Sequence, residues 1–330
     1  MEKDSRIYVA GHNGMVGSAI VRRLKANGFW NILVKTRQEL NLLDQAAVER
    51  LYKEDKIEYV FVAAAKVGGI HANNSLRAQF MYENLQIQNN LIHSSHKYGV
   101  RKLLFLGSSC IYPRNCPQPM KEEYLLSGKL EPTNEPYAVA KIAGIKMCES
   151  YFRQYGCQFF SLMPTNAYGP NDNFDLQSSH VLPALIRKIH EAKIKSEKEI
   201  TVWGSGNPTR EFIHVDDIAR ACLFAMDLDF QQLYDQGLTH LNVGTGKEIG
   251  IRALAEMICS VVGYSGNIVF DASMPDGTLR KMLDVSRLNK KGWRHKISLE
   301  DGLSMTYASF IEDNSNLNLS KTETLAKSKI

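Results

Sequence analysis

No run of apolar residues in this 330-residue chain approaches the length of about 20 that crosses a bilayer, so no membrane partner is expected. Charge of one sign is also scarce: 40 Lys and Arg stand against 35 Asp and Glu, a net +5. That excess is too small to argue for nucleic acid, although it suits an anionic small molecule. The opening residues, Met1 to Arg6, run straight into an apolar stretch with no secretory signal pattern. Six cysteines, at 110, 116, 148, 157, 222 and 259, form no C-x-x-C pair. Neither a zinc site nor a disulfide framework follows, no metal is expected, and the expected setting is the reducing cytoplasm. No solenoid-type repeat is present.

What is there is alternation. Arg6–Gly11, Asn31–Thr36, Ile57–Ala65 and Lys102–Gly107 read as short apolar strands. Between them lie segments with helical spacing, and a long helix over Tyr137–Tyr155 leads to the strand "CQFFSLMP". Nearly all-apolar strands separated by helices predict an α/β fold, a Rossmann-type doubly wound parallel sheet covered on both faces. After Pro170 the alternation loosens, which predicts a smaller α/β substrate-binding domain. The expected division is 1–170 for the nucleotide-binding domain, with segments near 212–245 returning to it. Residues 171–312 are mainly the substrate domain, and 313–330 are a polar tail.

"VAGHNGMVG" sets Gly11, Gly14 and Gly17 between the first strand and its helix, which Met15 and Val16 open. Such a turn needs glycine where the chain bends, where a pyrophosphate approaches, and where helix meets strand. The anion would sit on the helix N-terminus. An NAD site should carry an acid about 20 residues on, at the end of the second strand. This chain has Lys35 and Arg37 there, with Glu39 as the first acid. Cations fit a ribose 2′-phosphate, so NADP(H) is the expected cofactor; Asp44 is placed near the adenine.

"LFLGSSCIYP" ends a buried strand in two hydroxyls and a thiol. "NEPYAVAK" carries Tyr137 and Lys141 four apart on one helix face, with Pro136 in the first turn. A phenol titrates near pKa ~10, and an adjacent ammonium favours its phenolate. Tyr137 could then exchange a proton with a carbonyl or alcohol oxygen that Ser108 holds.

The glycine loop, the Ser-Ser strand end and "YAVAK" together resemble the extended short-chain dehydrogenase/reductase family. Long blocks extend the likeness from about Arg6 to about Ile311, among them "AAAKVGGI", "PTNAYGP", "NFDLQSSHVLPALIRK", "VWGSGNPTREFIHVDD" and "FDASMPDGTLRKMLD". They are similar to the branch that epimerises C3 and C5 of GDP-4-keto-6-deoxy-D-mannose and reduces C4 with NADPH. The resemblance implies Ser108, Tyr137 and Lys141 for reduction, and Cys110 with His180 as the acid–base pair of epimerisation. A thiol and an imidazole both titrate within reach of neutral pH. It also implies cofactor contacts at Leu106, Ser109, Pro164, Asn166 and His180, and GDP-sugar contacts at Arg187, Lys188, Trp203, Arg210, Asp276 and Lys281. A homodimer is implied too, with helices near Asn84–Tyr98 and Tyr137–Tyr155 crossing the two-fold. Two positions depart from the family pattern. Lys188 stands where a second Arg is expected, and Asn13 where an Arg would help hold the 2′-phosphate, which leaves Arg37 more of that task. The rival readings are an NAD-dependent nucleotide-sugar 4-epimerase or 4,6-dehydratase, which needs no Cys/His pair, and a non-catalytic NADP-binding regulator, which tends to lose the Tyr or Lys.

Overall fold

A computed structural model describes residues 1–176, 178–274, 276 and 278–312; the tail expected over 313–330 lies outside the described residues. The chain begins β1 (Ile7–Ala10), α1 (Met15–Ala26), β2 (Ile32–Leu33), α2 (Gln45–Asp55) and β3 (Tyr59–Val62). It continues with α3 (Ile70–Ser75), α4 (Arg77–Lys97), β4 (Lys102–Leu106), α5 (Glu135–Tyr155) and β5 (Phe159–Pro164). Next come β6 (Asn166–Tyr168), α6 (Val181–Ile194), β7 (Glu199–Trp203), β8 (Thr209–His214) and α7 (Val215–Asp227). The last named elements are α8 (Phe230–Asp235), β9 (His240–Val243), β10 (Glu248–Gly250), α9 (Ile251–Val262), β11 (Asn267–Asp271), β12 (Arg280–Lys281) and α10 (Ser286–Lys290). A further helix covers 299–312.

Six strands form one parallel sheet in the order β2-β1-β3-β4-β5-β9. Alternate side chains of each strand enter opposite cores, as the pleat dictates. Ile7, Val9, Phe61, Leu104 and Phe160 pack with α1 and α7. Tyr8, Val60, Leu103, Phe105 and Phe159 pack with α2, α4 and α5. Both faces are covered, so the strands read as near-continuous apolar runs. The strand expected over 31–36 pairs only at Ile32–Leu33. It is an edge strand, and a turn closed by Leu40 N–H onto the Thr36 carbonyl draws the chain away.

After β5 the chain builds a smaller unit around β8, which pairs with β6, β10 and β12, beside a parallel β7–β11 pair. Its core joins α6, α9 and the 299–312 helix. α7 and β9 belong to the large sheet, so the chain visits that sheet twice. The strand order reverses between β1 and β3, which opens a crevice at the carboxyl ends of the strands, where open α/β sheets bind ligands.

Candidate active site

The crevice floor is the turn after β1. Gly11 has φ +87°, and a Cβ there would come 2.6 Å from Ala64 N. A Cβ on Gly17 would overlap the Gly11 carbonyl oxygen. The two absent side chains let β1, β3 and α1 meet at one point. Gly14 begins α1 without a side-chain cap, and no acid occupies its first turn. The N–H groups that Met15, Val16 and Gly17 present are therefore left to an anion. Beyond β2, Glu39 folds back to accept from Thr36 N at 2.7 Å, and Asp44 caps α2 by accepting from Ala47 N at 3.1 Å. Both acids of this region are thus engaged by backbone, while Arg37 is exposed. That arrangement fits a 2′-phosphate.

The β4 strand end carries the next group. Ser108 caps a 3₁₀ turn over Ser109–Ile111 that buries Ser109 and Cys110. From α5, Lys141 is 3% exposed and donates to the Leu106 carbonyl at 2.8 Å. Its Nζ lies 5.7 Å from the centre of the Tyr137 ring. Phe80 of α4 meets that ring edge-on, centroids 6.3 Å apart. The close fit of α5 has a local cause: a Cβ on Gly144 would overlap the Phe105 ring.

The surroundings of Tyr137 and Lys141 act on both groups mainly through burial. Burial pushes the Tyr137 phenol up, the neighbouring Cys110 adds to that, and the Ser108 hydroxyl draws it back only in part. Burial also lowers Lys141 to about 8. Desolvation of the charged form is the largest influence on each, and it favours the neutral phenol of Tyr137. Burial likewise raises the Cys110 thiol, opposed first by Lys281 and then by Ser108 and Lys141.

His180 stands at the N-terminus of α6. It keeps an exposed surface, yet the surrounding protein and then Lys281 push its imidazole down. Its loop is fastened to the crevice: Gly69 N donates to the Ser178 carbonyl at 2.8 Å. Lys281 pairs with Arg210 in the β12–β8 register, and both lose basicity to burial. Asp276, the charge nearest Arg210 in effect, accepts from Ser205 N and Oγ at 2.7 and 2.8 Å. Trp203 is 67% exposed at the end of β7.

Other expected site residues make contacts of their own. Lys188 donates to the Thr201 carbonyl at 2.6 Å, and Arg187 pairs with Glu191 at 2.7 Å. The first ties α6 to β7, and the second lies within α6. Asn166, beyond Pro164 at the end of β5, donates to the Glu211 carbonyl at 2.7 Å. Sequence reasoning missed the buried Asn84 of α4. It pins the loop after β3, accepting from Lys66 N at 2.9 Å and donating to the Lys66 carbonyl at 3.0 Å. The polar run "ENLQIQNN" on an otherwise packed helix was the available signal. Glu211 was missed as well.

A glycine cradle at a sheet crevice, beside a Tyr/Lys/Ser group, defines a nucleotide-dependent enzyme acting on a carbonyl or alcohol. The family model of the NAD dependent epimerase/dehydratase family matches residues 7–244, and the chain belongs to that family. Within it the likeness falls on GDP-L-fucose synthases. The GDP-L-fucose synthase of Escherichia coli (strain K12) is 56% identical over 311 residues, 93% of this chain and 97% of that protein. Among solved structures, a GDP-mannoheptose C4 reductase from Campylobacter jejuni with NADP bound is 44% identical with TM-score 0.88, over 94% of this chain and 99% of that one. A GDP-L-fucose synthetase from Naegleria fowleri bound to NADP is 26% identical with TM-score 0.85, covering 96% of each chain.

Proposed function

We propose that this chain converts GDP-4-keto-6-deoxy-D-mannose to GDP-L-fucose, by epimerisation at C3 and C5 and reduction at C4, with NADPH. The observation that carries the reading is the meeting of two sets of groups. Ser108, Tyr137 and Lys141 form one set at the end of β4. Cys110 shares that strand end, and both it and His180 feel the charge of Lys281.

The glycine cradle and Arg37 would hold NADPH, which would supply the hydride that reduces C4. Tyr137, a neutral phenol, gives its proton to the C4 oxygen that Ser108 holds. The Lys141 ammonium stabilises the phenolate left behind. Epimerisation uses the same oxygen earlier. A proton lost from C3 or C5 places negative charge on O4, where Tyr137 and Ser108 already donate. Cys110 and His180 act as the acid–base pair, one taking a proton from carbon as the other returns one to the opposite face. Such placed proton transfer contributes typically 10²–10⁴-fold. Arg210 and Lys281 take the diphosphate, and Trp203 covers an apolar face of the nucleotide or sugar.

Among the described residues no helix is long and apolar enough to cross a membrane. All six cysteines are free, which supports a reducing, cytoplasmic setting. We also place a second copy of the chain across α4 and α5, where Tyr82 and Val139 are exposed. Incubation with NADPH and the keto sugar, with the product identified by NMR, tests the activity. GDP-L-fucose is expected. A GDP-6-deoxyhexose with C3 and C5 unchanged, or no oxidation of NADPH, overturns it.

A further inference from the structure

Glu211 follows Arg210 on β8 and is fully buried, at 0% exposure. Burial raises its carboxyl, and the largest opposing influences are backbone N–H groups. Oε1 accepts from Thr245 N and Gly246 N, each at 2.7 Å, and Oε2 accepts from Leu283 N at 2.9 Å. The turn is shaped for this contact. Gly246 has φ +70°, and a Cβ on Gly244 would overlap Oε1. Successive N–H groups in such a turn make an anion-holding nest, filled here by the protein's own carboxylate.

The three donors come from two remote segments. One is the turn between β9 and β10. The other begins two residues beyond Lys281. The Glu211 carbonyl meanwhile accepts from Asn166 Nδ2 at 2.7 Å and Thr165 Oγ1 at 3.3 Å, at the end of β5. Successive strand residues point to opposite faces. The buried Glu211 is therefore turned away from the side on which Arg210 lies. Lys281 sits opposite Arg210 in the ladder, and Glu211 fastens Leu283 of that same segment. A two-oxygen acceptor is needed. A glutamine would turn its NH₂ toward one of the N–H donors and leave that donor buried and unpaired.

We propose that Glu211 is a positioning residue for the substrate: it locks the strand bearing Lys281 against Arg210, so that the two cations meet the diphosphate as one site. This rests on the reading that Arg210 and Lys281 hold the GDP moiety. The test measures GDP and NADPH affinities by titration on Glu211→Gln, Gly244→Ala and Arg210→Ala, with circular dichroism to establish folding. Glu211→Gln is expected to weaken GDP at least tenfold and to leave NADPH within twofold. The KM for the keto sugar should rise at least tenfold, with kcat within threefold. Gly244→Ala, which drives a methyl onto Oε1 with the carboxylate retained, should give the same split. Arg210→Ala with unchanged GDP affinity would sink the underlying reading, and this proposal with it. If Arg210→Ala weakens GDP while folded Glu211→Gln does not, the positioning role alone fails. If GDP and NADPH weaken together, or neither Glu211→Gln nor Gly244→Ala folds, Glu211 is a determinant of folding and the proposal is overturned.

Discussion

Lys141 carries the clearest conflict between folding and chemistry at the level of single residues. Its pKa of about 8 lies below the ordinary lysine value near 10.5. The folded state thus holds this proton less tightly than the unfolded chain does. The resulting cost is present in full below about pH 8 and fades as pH rises from there toward the unfolded value. A shift of this size corresponds to about 3 kcal/mol. Lys141→Met should recover part of it, less about 1 kcal/mol for the unpaired Leu106 carbonyl. A thermal melt at pH 7 should show Tm a few degrees higher while reduction falls at least 100-fold; a lower Tm would contradict the desolvation account. In the wild type, reduction should decline above about pH 8 as the ammonium is lost, which a kcat/KM profile would reveal. The two sets of groups should also separate by mutation. Tyr137→Phe should lower NADPH oxidation by at least 100-fold. Cys110→Ser should instead cut solvent deuterium incorporation at C3 and C5, measured by mass spectrometry. Equal losses of exchange and oxidation in both variants would argue against divided labour. The letters of this group were legible because Tyr137 and Lys141 are near neighbours in sequence. Their protonation states were not, because burial by Phe80, Phe105 and the strand end decides them.

Among the elements, those set by local rules were the most readable. The α5 helix announces itself by Pro136 in its first turn and by Gly156 at its end, with φ +70°. The glycine loop was legible for the same reason, and its geometry sharpens what each glycine does. Gly17→Ala forces a methyl into the Gly11 carbonyl, a backbone atom that cannot swing away. NADPH affinity should fall at least tenfold, read by fluorescence titration, and wild-type affinity in the variant would refute the close-packed cradle. The smaller unit was harder to read. β6, β10 and β12 are two or three residues long and gain meaning only by pairing with β8. Glu211 sits in the plain string "TREFIH", and its partners lie more than 30 residues further on. No spacing rule could have joined them.

At the level of the whole molecule, the α4 and α5 faces turned away from the sheet are the surface that a second copy would cover. Tyr82 is 63% exposed, and Val139 stands on the neighbouring helix. Their burial in a dimer would remove apolar area from water at roughly 25 cal/mol per Å². Val139→Glu should shift the mass measured by light scattering from two chains to one; a wild type that is already monomeric would overturn the dimer.

The double visit of the chain to its large sheet also orders events in time. The glycine cradle, Ser108, Cys110, Tyr137 and Lys141 all precede residue 142, whereas Arg210 and Lys281 come late and the strand β9 closes the sheet between them. During synthesis, N-terminal segments emerge first, and contacts between distant segments form slowly. On the proposed assignment, a nascent chain thus exposes the glycine cradle and the reacting groups of the β4 strand end and α5 well before Arg210 and Lys281, the cations proposed for the diphosphate. Among the described strands, β12 is the last in chain order, so the β8–β12 seam is the last pairing the growing chain can complete, and on the proposed assignment the diphosphate site is finished with it.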